Sequence, residues 1–134
     1  MRLKDWPSRL DAALAAARRR PFEWGAHDCC LFAASVVEAC TGVDLAAELR
    51  GTYSDALAAA ALVESLGGID AIAALAGLEI DPELAAAGDI GLAEIEGRQS
   101  LVVNGGQVWL GAGAGGLLVA PASSVTRAWR IGEP

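Results

Sequence analysis

The chain has 134 residues, 54% of them hydrophobic, and a formal net charge of −7. That length suits one domain, spanning 1–134, with a modest core. The apolar content excludes a disordered chain, and the acidic balance argues against a nucleic-acid surface. No apolar run reaches the ~18 residues of a membrane span, and Met1–Asp5 lacks the apolar stretch of a signal peptide. The expectation is a protein made in a cytoplasm and not exported by general secretion. Three cysteines, two of them adjacent, suit a reducing compartment better than a disulfide framework.

The predicted elements divide near residue 88, helices in about 1–87 and strands in about 88–131. The first helix is expected from Ser8 to Arg19, with Leu10, Ala13, Leu14 and Ala17 on one face. Pro7 suits its start and Pro21 its end. The run Arg18-Arg19-Arg20 complements the helix dipole, a simpler reading than a phosphate patch. A loop through Trp24-Gly25-Ala26-His27 leads to a second helix, Cys29 to Cys40, closed by Gly42. Asp28 is placed to cap it. A short helix is predicted for Asp44–Leu49. A longer one follows from Asp55 to Leu66, capped by Ser54 and ended by Gly67-Gly68. Asp70–Ala76 forms another helical piece.

Strands are expected at Asp89–Ile95, Ser100–Val103, Gln107–Leu110, Gly116–Ala120 and Thr126–Ile131. Glu96-Gly97 and Asn104-Gly105-Gly106 supply the turns, and the short connections imply an antiparallel meander. The fold class is therefore α+β: N-terminal helices packed on a small antiparallel sheet.

Cys29 is the candidate nucleophile. At the first turn of a helix, the dipole favours thiolate over thiol. The competing reading is a small buried hydrophobe, a common use of free cysteine. Cys30 and Cys40 read as core residues. His27, the chain's one histidine, is either a local base for Cys29 or a loop residue packed beside the Trp24-Gly25 turn. Together His27, Cys29, Cys30 and Cys40 offer four soft ligands. The adjacent pair, however, lacks the short spacing of zinc sites and points to different helix faces, so no metal and no cofactor is expected. The Gly111–Gly116 run matches G-x-G-x-x-G, yet a strand-like segment and Pro121 follow instead of the helix that a nucleotide site needs. A hairpin connection is the expectation there. Of the four tryptophans, Trp6 and Trp109 are the candidates for a contact surface, Trp being common in interface hot spots.

The arrangement Phe22-x-Trp24-Gly25-x-x-Asp28-Cys29 resembles the nucleophile motif of NlpC-like, papain-like cysteine peptidases. Ala87-Gly88-Asp89-Ile90 is similar to that family's Gly-Asp segment, which opens the first core strand. The ending Ala128-Trp129-Arg130-Ile131 and the short length are closest to a phage-associated branch found among tail genes. The likeness covers about Pro21 to Ile131. Three features depart from the pattern: Ala26 where a second Gly is usual, Cys30-Leu31 where Ser-Gly is usual, and Arg98–Val103 without the strand-borne His. The resemblance implies a papain-like fold and a non-catalytic virion component of a phage tail, at the tail tip or baseplate. It would be assembled in the host cytoplasm beside other tail proteins, as a homo-oligomer or with them. The alternative it implies is an active peptidoglycan endopeptidase or amidase using Cys29, with His27 or a partner's His as base. A third reading is a thiol that reacts with oxidants.

Overall fold

The computed structural model describes residues 1–132. Four helices come from the N-terminal half: α1 Trp6–Arg18, α2 Cys29–Thr41, α3 Ala56–Ser65 and α4 Ile69–Ala74. Six strands follow: β1 Gly77–Ile80, β2 Ile90–Ile95, β3 Arg98–Asn104, β4 Trp109–Gly113, β5 Gly116–Ala120 and β6 Val125–Ile131. They form one antiparallel sheet in the order β1-β6-β2-β3-β4-β5. The α+β class thus holds, with β2 to β5 as a meander. The last strand crosses back to pair with β2, so the sheet is not a meander throughout.

Local chemistry explains most of these elements. Pro7 lies in the first turn of α1, where a missing N–H costs nothing. Gly42 closes α2 at φ 83°, and its N–H donates to the Glu38 carbonyl at 2.7 Å. Glu96 and Gly97 both take positive φ, 53° and 77°, which fits a two-residue turn between β2 and β3.

Several expectations are corrected. Asp44–Leu49 is a turn, not a helix. Asp44 accepts from the Ala46 N–H, and Arg50 clamps both its carboxylate oxygens at 2.9 and 3.1 Å. Those side-chain bonds compete with a helical backbone. The cap of α3 is Asp55, accepting from the Ala58 N–H at 2.8 Å, and not Ser54. Strand β1 was not foreseen. It precedes the expected boundary at residue 88 and is held along β6. The Gly111–Gly116 run is the β4–β5 hairpin, as its sequence context suggested.

Alternation along the strands builds two apolar layers. Ile90, Leu92, Leu101, Val103, Leu110, Trp129 and Ile131 face α1 and α2 and join Leu10, Leu14, Phe32, Val36 and Cys40 in the main core. The opposite face carries Ala93, Val102, Trp109, Ala120, Val125 and Ala128. The main layer presses the N-terminal end of α2 against β3. That contact decides what surrounds Cys29.

Candidate functional site

Residues 23–27 close into a tight turn: the Glu23 N–H donates to the His27 carbonyl at 2.9 Å, and the His27 N–H to the Glu23 carbonyl at 2.7 Å. Gly25 sits in this turn at φ 79°, and a Cβ there would lie 1.8 Å from the Tyr53 carbonyl oxygen. Only glycine fits both the left-handed backbone and that approach. Phe22 and Trp24 meet edge to face, with ring centroids 4.7 Å apart. The Phe22 N–H donates to the Gly113 carbonyl, tying the turn to the β4–β5 hairpin.

Asp28 is 2% exposed. One carboxylate oxygen accepts from the Leu31 N–H at 3.0 Å and caps α2. The other accepts from the Gly25 N–H at 3.1 Å and the Tyr53 hydroxyl at 2.5 Å. A buried carboxylate needs such partners. Burial and the Asp28 carboxylate together push the Tyr53 hydroxyl well above its ordinary range. Asp28 is thus the knot that sets the helix start beneath Cys29, with its lone pairs committed to structure.

Cys29 and Cys30 are free thiols, each partly buried, with sulfurs 3.9 Å apart. The sequence placed these side chains on different helix faces and Cys30 in the core. Successive helical residues do diverge by about 100°, but here both thiols turn toward each other across the first turn. The Cys30 thiol lowers the pKa of Cys29. Burial opposes that shift, and the Leu101 backbone N–H on β3 supports it. Hydrogen bonding to Cys29, followed by burial, pushes the Cys30 pKa far up. The pair is thus polarised in opposite directions, with the Cys29 thiol made the more acidic of the two and the Cys30 thiol the less acidic. Cys40 is buried in the main core, and burial raises its thiol.

His27 is 3% exposed, and its Nε2 has no hydrogen-bond partner. Its ring packs on Phe32, with centroids 5.7 Å apart. Burial, and next the Arg20 charge, lower its pKa. Of the two readings for this residue, packing in the turn is what the structure displays. Among the described residues there is no hydrogen bond from its imidazole to Cys29, and no group of three or more His, Cys, Asp or Glu side chains that could hold a metal ion.

The Gly88-Asp89 segment also has a structural task. Asp89 is fully buried and accepts from Arg2 Nη2 at 2.8 Å, the Ile131 N–H at 3.2 Å and the Ala86 N–H at 2.9 Å. It joins the N-terminus, β2 and β6. Trp6 is half-buried, with the Arg2 guanidinium 4.3 Å above its ring. Trp109, expected at a contact surface, is buried instead. Its ring packs against Gly91 on the second apolar layer. Tyr53 was not foreseen, because it lies 25 residues from Asp28 and no local pattern marks it.

Cys29 opens onto a cleft of about 1130 Å³ between α2, α3, α4 and the β2–β3 hairpin. Trp24, Asp28 and Cys29 line it together with Arg98–Leu101 of β3. This stretch of β3 carries no histidine. A thiolate here has an adjacent S–H donor, backbone N–H groups and an apolar groove. Among the described residues, the Cys30 thiol is the side chain in hydrogen-bond contact with it. No helix of the described residues is long and apolar enough to cross a membrane.

Residues 1–131 match a family described as a domain of unknown function, DUF6950, and the chain belongs to that family. No curated protein and no solved structure matches it.

Proposed function

We propose that this family member is a non-catalytic assembly component of a phage tail, at the tail tip or baseplate, built on a degenerate papain-like, NlpC-like scaffold. One observation carries the non-catalytic reading: among the described residues the chain's single imidazole packs on Phe32 and makes no hydrogen bond to Cys29, whose side-chain partner is Cys30. Amide hydrolysis by a thiolate needs a proton delivered to the leaving nitrogen. Loss of one member of such a unit removes most of the rate. The helix-borne thiol facing β3, with Trp24-Gly25 before it and Gly88-Asp89 anchoring the sheet, supports the scaffold. The tail location rests on the resemblance of Phe22–Cys29 and Ala128–Ile131 to the phage-associated branch, with other tail proteins as partners and the virion as destination.

Incubation with purified peptidoglycan tests the first half. No soluble muropeptide release is expected, and release that disappears in Cys29→Ala would overturn it. Mass spectrometry of purified tail particles tests the second half, and absence of the chain from intact tails refutes that placement.

The lowered pKa of Cys29 beside an open cleft favours one alternative, an active cysteine hydrolase. The thiolate would attack a peptide or amide carbonyl, and its own backbone N–H would help hold the oxyanion. A partner's histidine would then have to protonate the departing amine.

A further inference from the structure

The helix α3 has a composition that its surroundings do not explain. Its sequence Ala-Leu-Ala-Ala-Ala-Ala-Leu-Val-Glu-Ser is apolar around nearly the whole circumference, yet only Ala59 is buried. Leu66 and Leu75, which both line the Cys29 cleft, are 44% and 69% exposed. A helix that is apolar all round belongs in a covered position, and contiguous exposed apolar surface marks an interaction site. Ala60, Leu62 and Val63 of this helix, with Leu66 at its cap, line the Cys29 cleft. Ala33, Val37, Ile90 and Leu101 of α2, β2 and β3 line it as well. The volume, about 1130 Å³, lies just above the range of small-molecule sites, which run to about 1,000 Å³.

Charge narrows the occupant. The acidic residues lining the cleft are Asp28, Asp44, Glu48, Glu64 and Glu96, against one cation, Arg98. Asp28 is committed to its three donors and Asp44 is paired with Arg50. Arg98 lies over the Trp24 ring at 5.5 Å. Glu48, Glu64 and Glu96 are exposed and make no ion pair among the described residues. An apolar groove with unpaired carboxylates at its rim repels an anionic lipid or fatty acid. It complements an apolar protein segment with basic residues on its flanks.

We infer that the α3–β2–β3 cleft receives such a segment, an apolar stretch with lysine or arginine flanks from another protein, seated over Cys29. This rests on the non-catalytic reading and names the chemistry of the partner. Seating covers the apolar lining, places the flanking cations against Glu48, Glu64 and Glu96, and closes solvent access to the Cys29 sulfur.

The test uses the full chain and a synthetic probe, acetyl-Lys-Lys-Leu-Ala-Leu-Leu-Ala-Leu-Lys-Lys-amide. Binding is followed by calorimetry and by the rate at which iodoacetamide alkylates Cys29. Saturable binding that slows alkylation is expected. The triple variant Glu48→Lys, Glu64→Lys, Glu96→Lys should weaken it by about tenfold, as removal of three exposed pairs implies. Circular dichroism checks that this variant is folded, and the exposed positions of its substitutions favour that. A Glu-flanked version of the peptide that binds equally well, palmitate that binds where the peptide does not, or no peptide binding at all would each overturn the inference. The last result leaves the non-catalytic reading intact, because that reading depends on muropeptide release. Binding followed by Cys29-dependent cleavage of the peptide would overturn both, because the segment would then be a substrate and not a seated partner.

Discussion

Replacing Asp28 with alanine should unfasten the turn that carries Cys29. The carboxylate takes three hydrogen bonds in a site that is 2% exposed. Loss of the cap on the Leu31 N–H costs about 1 kcal/mol. The Gly25 N–H is left buried without an acceptor, at about 1–3 kcal/mol, and the Tyr53 hydroxyl loses its partner at about 1 kcal/mol. The sum is about 3–5 kcal/mol, a large share of the ~5–15 kcal/mol that holds a domain folded. With a urea slope of about 2 kcal/mol per molar, the midpoint should fall by about 2 M. Tyr53→Phe alone should cost about 1 kcal/mol, the value of that one hydrogen bond. In the Asp28→Ala background, the same change should cost under about 0.5 kcal/mol, since the bond is already gone. Urea unfolding of the four proteins at pH 7 measures all these terms. An Asp28→Ala cost below about 1 kcal/mol, or a Tyr53→Phe cost that is equal in both backgrounds, would refute the assignment of Asp28 as the structural knot.

Four further outcomes are expected. Gly25→Ala should abolish soluble folded protein, since its Cβ would meet the Tyr53 carbonyl at 1.8 Å. Gly51→Ala, at φ 75° with open space around it, should cost only about 1–2 kcal/mol, as thermal unfolding of both will tell. Iodoacetamide at pH 7 should modify Cys29 well before Cys30. Cys30→Ala should slow the reaction at Cys29 by removing the thiol that lowers its pKa, and peptide mapping by mass spectrometry reads both rates. For His27 the folded-state pKa is lowered, so between the two pKa values the unfolded chain binds more protons. The contribution is therefore present above the unfolded value of about 6.5 and is lost as pH falls below it. Unfolding free energies measured down to pH 5 should show that decline, and His27→Phe should remove it. Arg2→Ala should destabilise by about 3–5 kcal/mol, because it leaves the buried Asp89 carboxylate without its closest cation. Chemical denaturation checks the size.

Local signals carried far in this chain. Pro7, Asp28 and Gly42 marked the ends of α1 and α2 because capping depends on residues close in sequence. The Glu96-Gly97 turn and the Gly111–Gly116 hairpin were legible for the same reason. Strand β1 was not, since four residues with a half-exposed pattern become a strand only when β6 lies beside them. Asp44–Leu49 misled because its apolar spacing is helical, while Arg50 bends back onto Asp44. The burial of Trp109 depended on which face of β4 the sheet turned away from the helices.

By itself, the sequence determined the α+β class, the helix that begins at Cys29 and the cap beneath it, since each follows from residues a few positions apart. It also determined that the chain holds a single imidazole to offer. Tertiary structure decided what that imidazole and the thiol can do. The closed turn at 23–27 directs His27 against Phe32, and packing of α2 on β3 gives Cys29 the Leu101 amide and the Cys30 thiol as neighbours. Tyr53, from 25 residues away, completes the shell of Asp28. Such neighbours are set by how the layers pack, a long-range property that no window of sequence encodes.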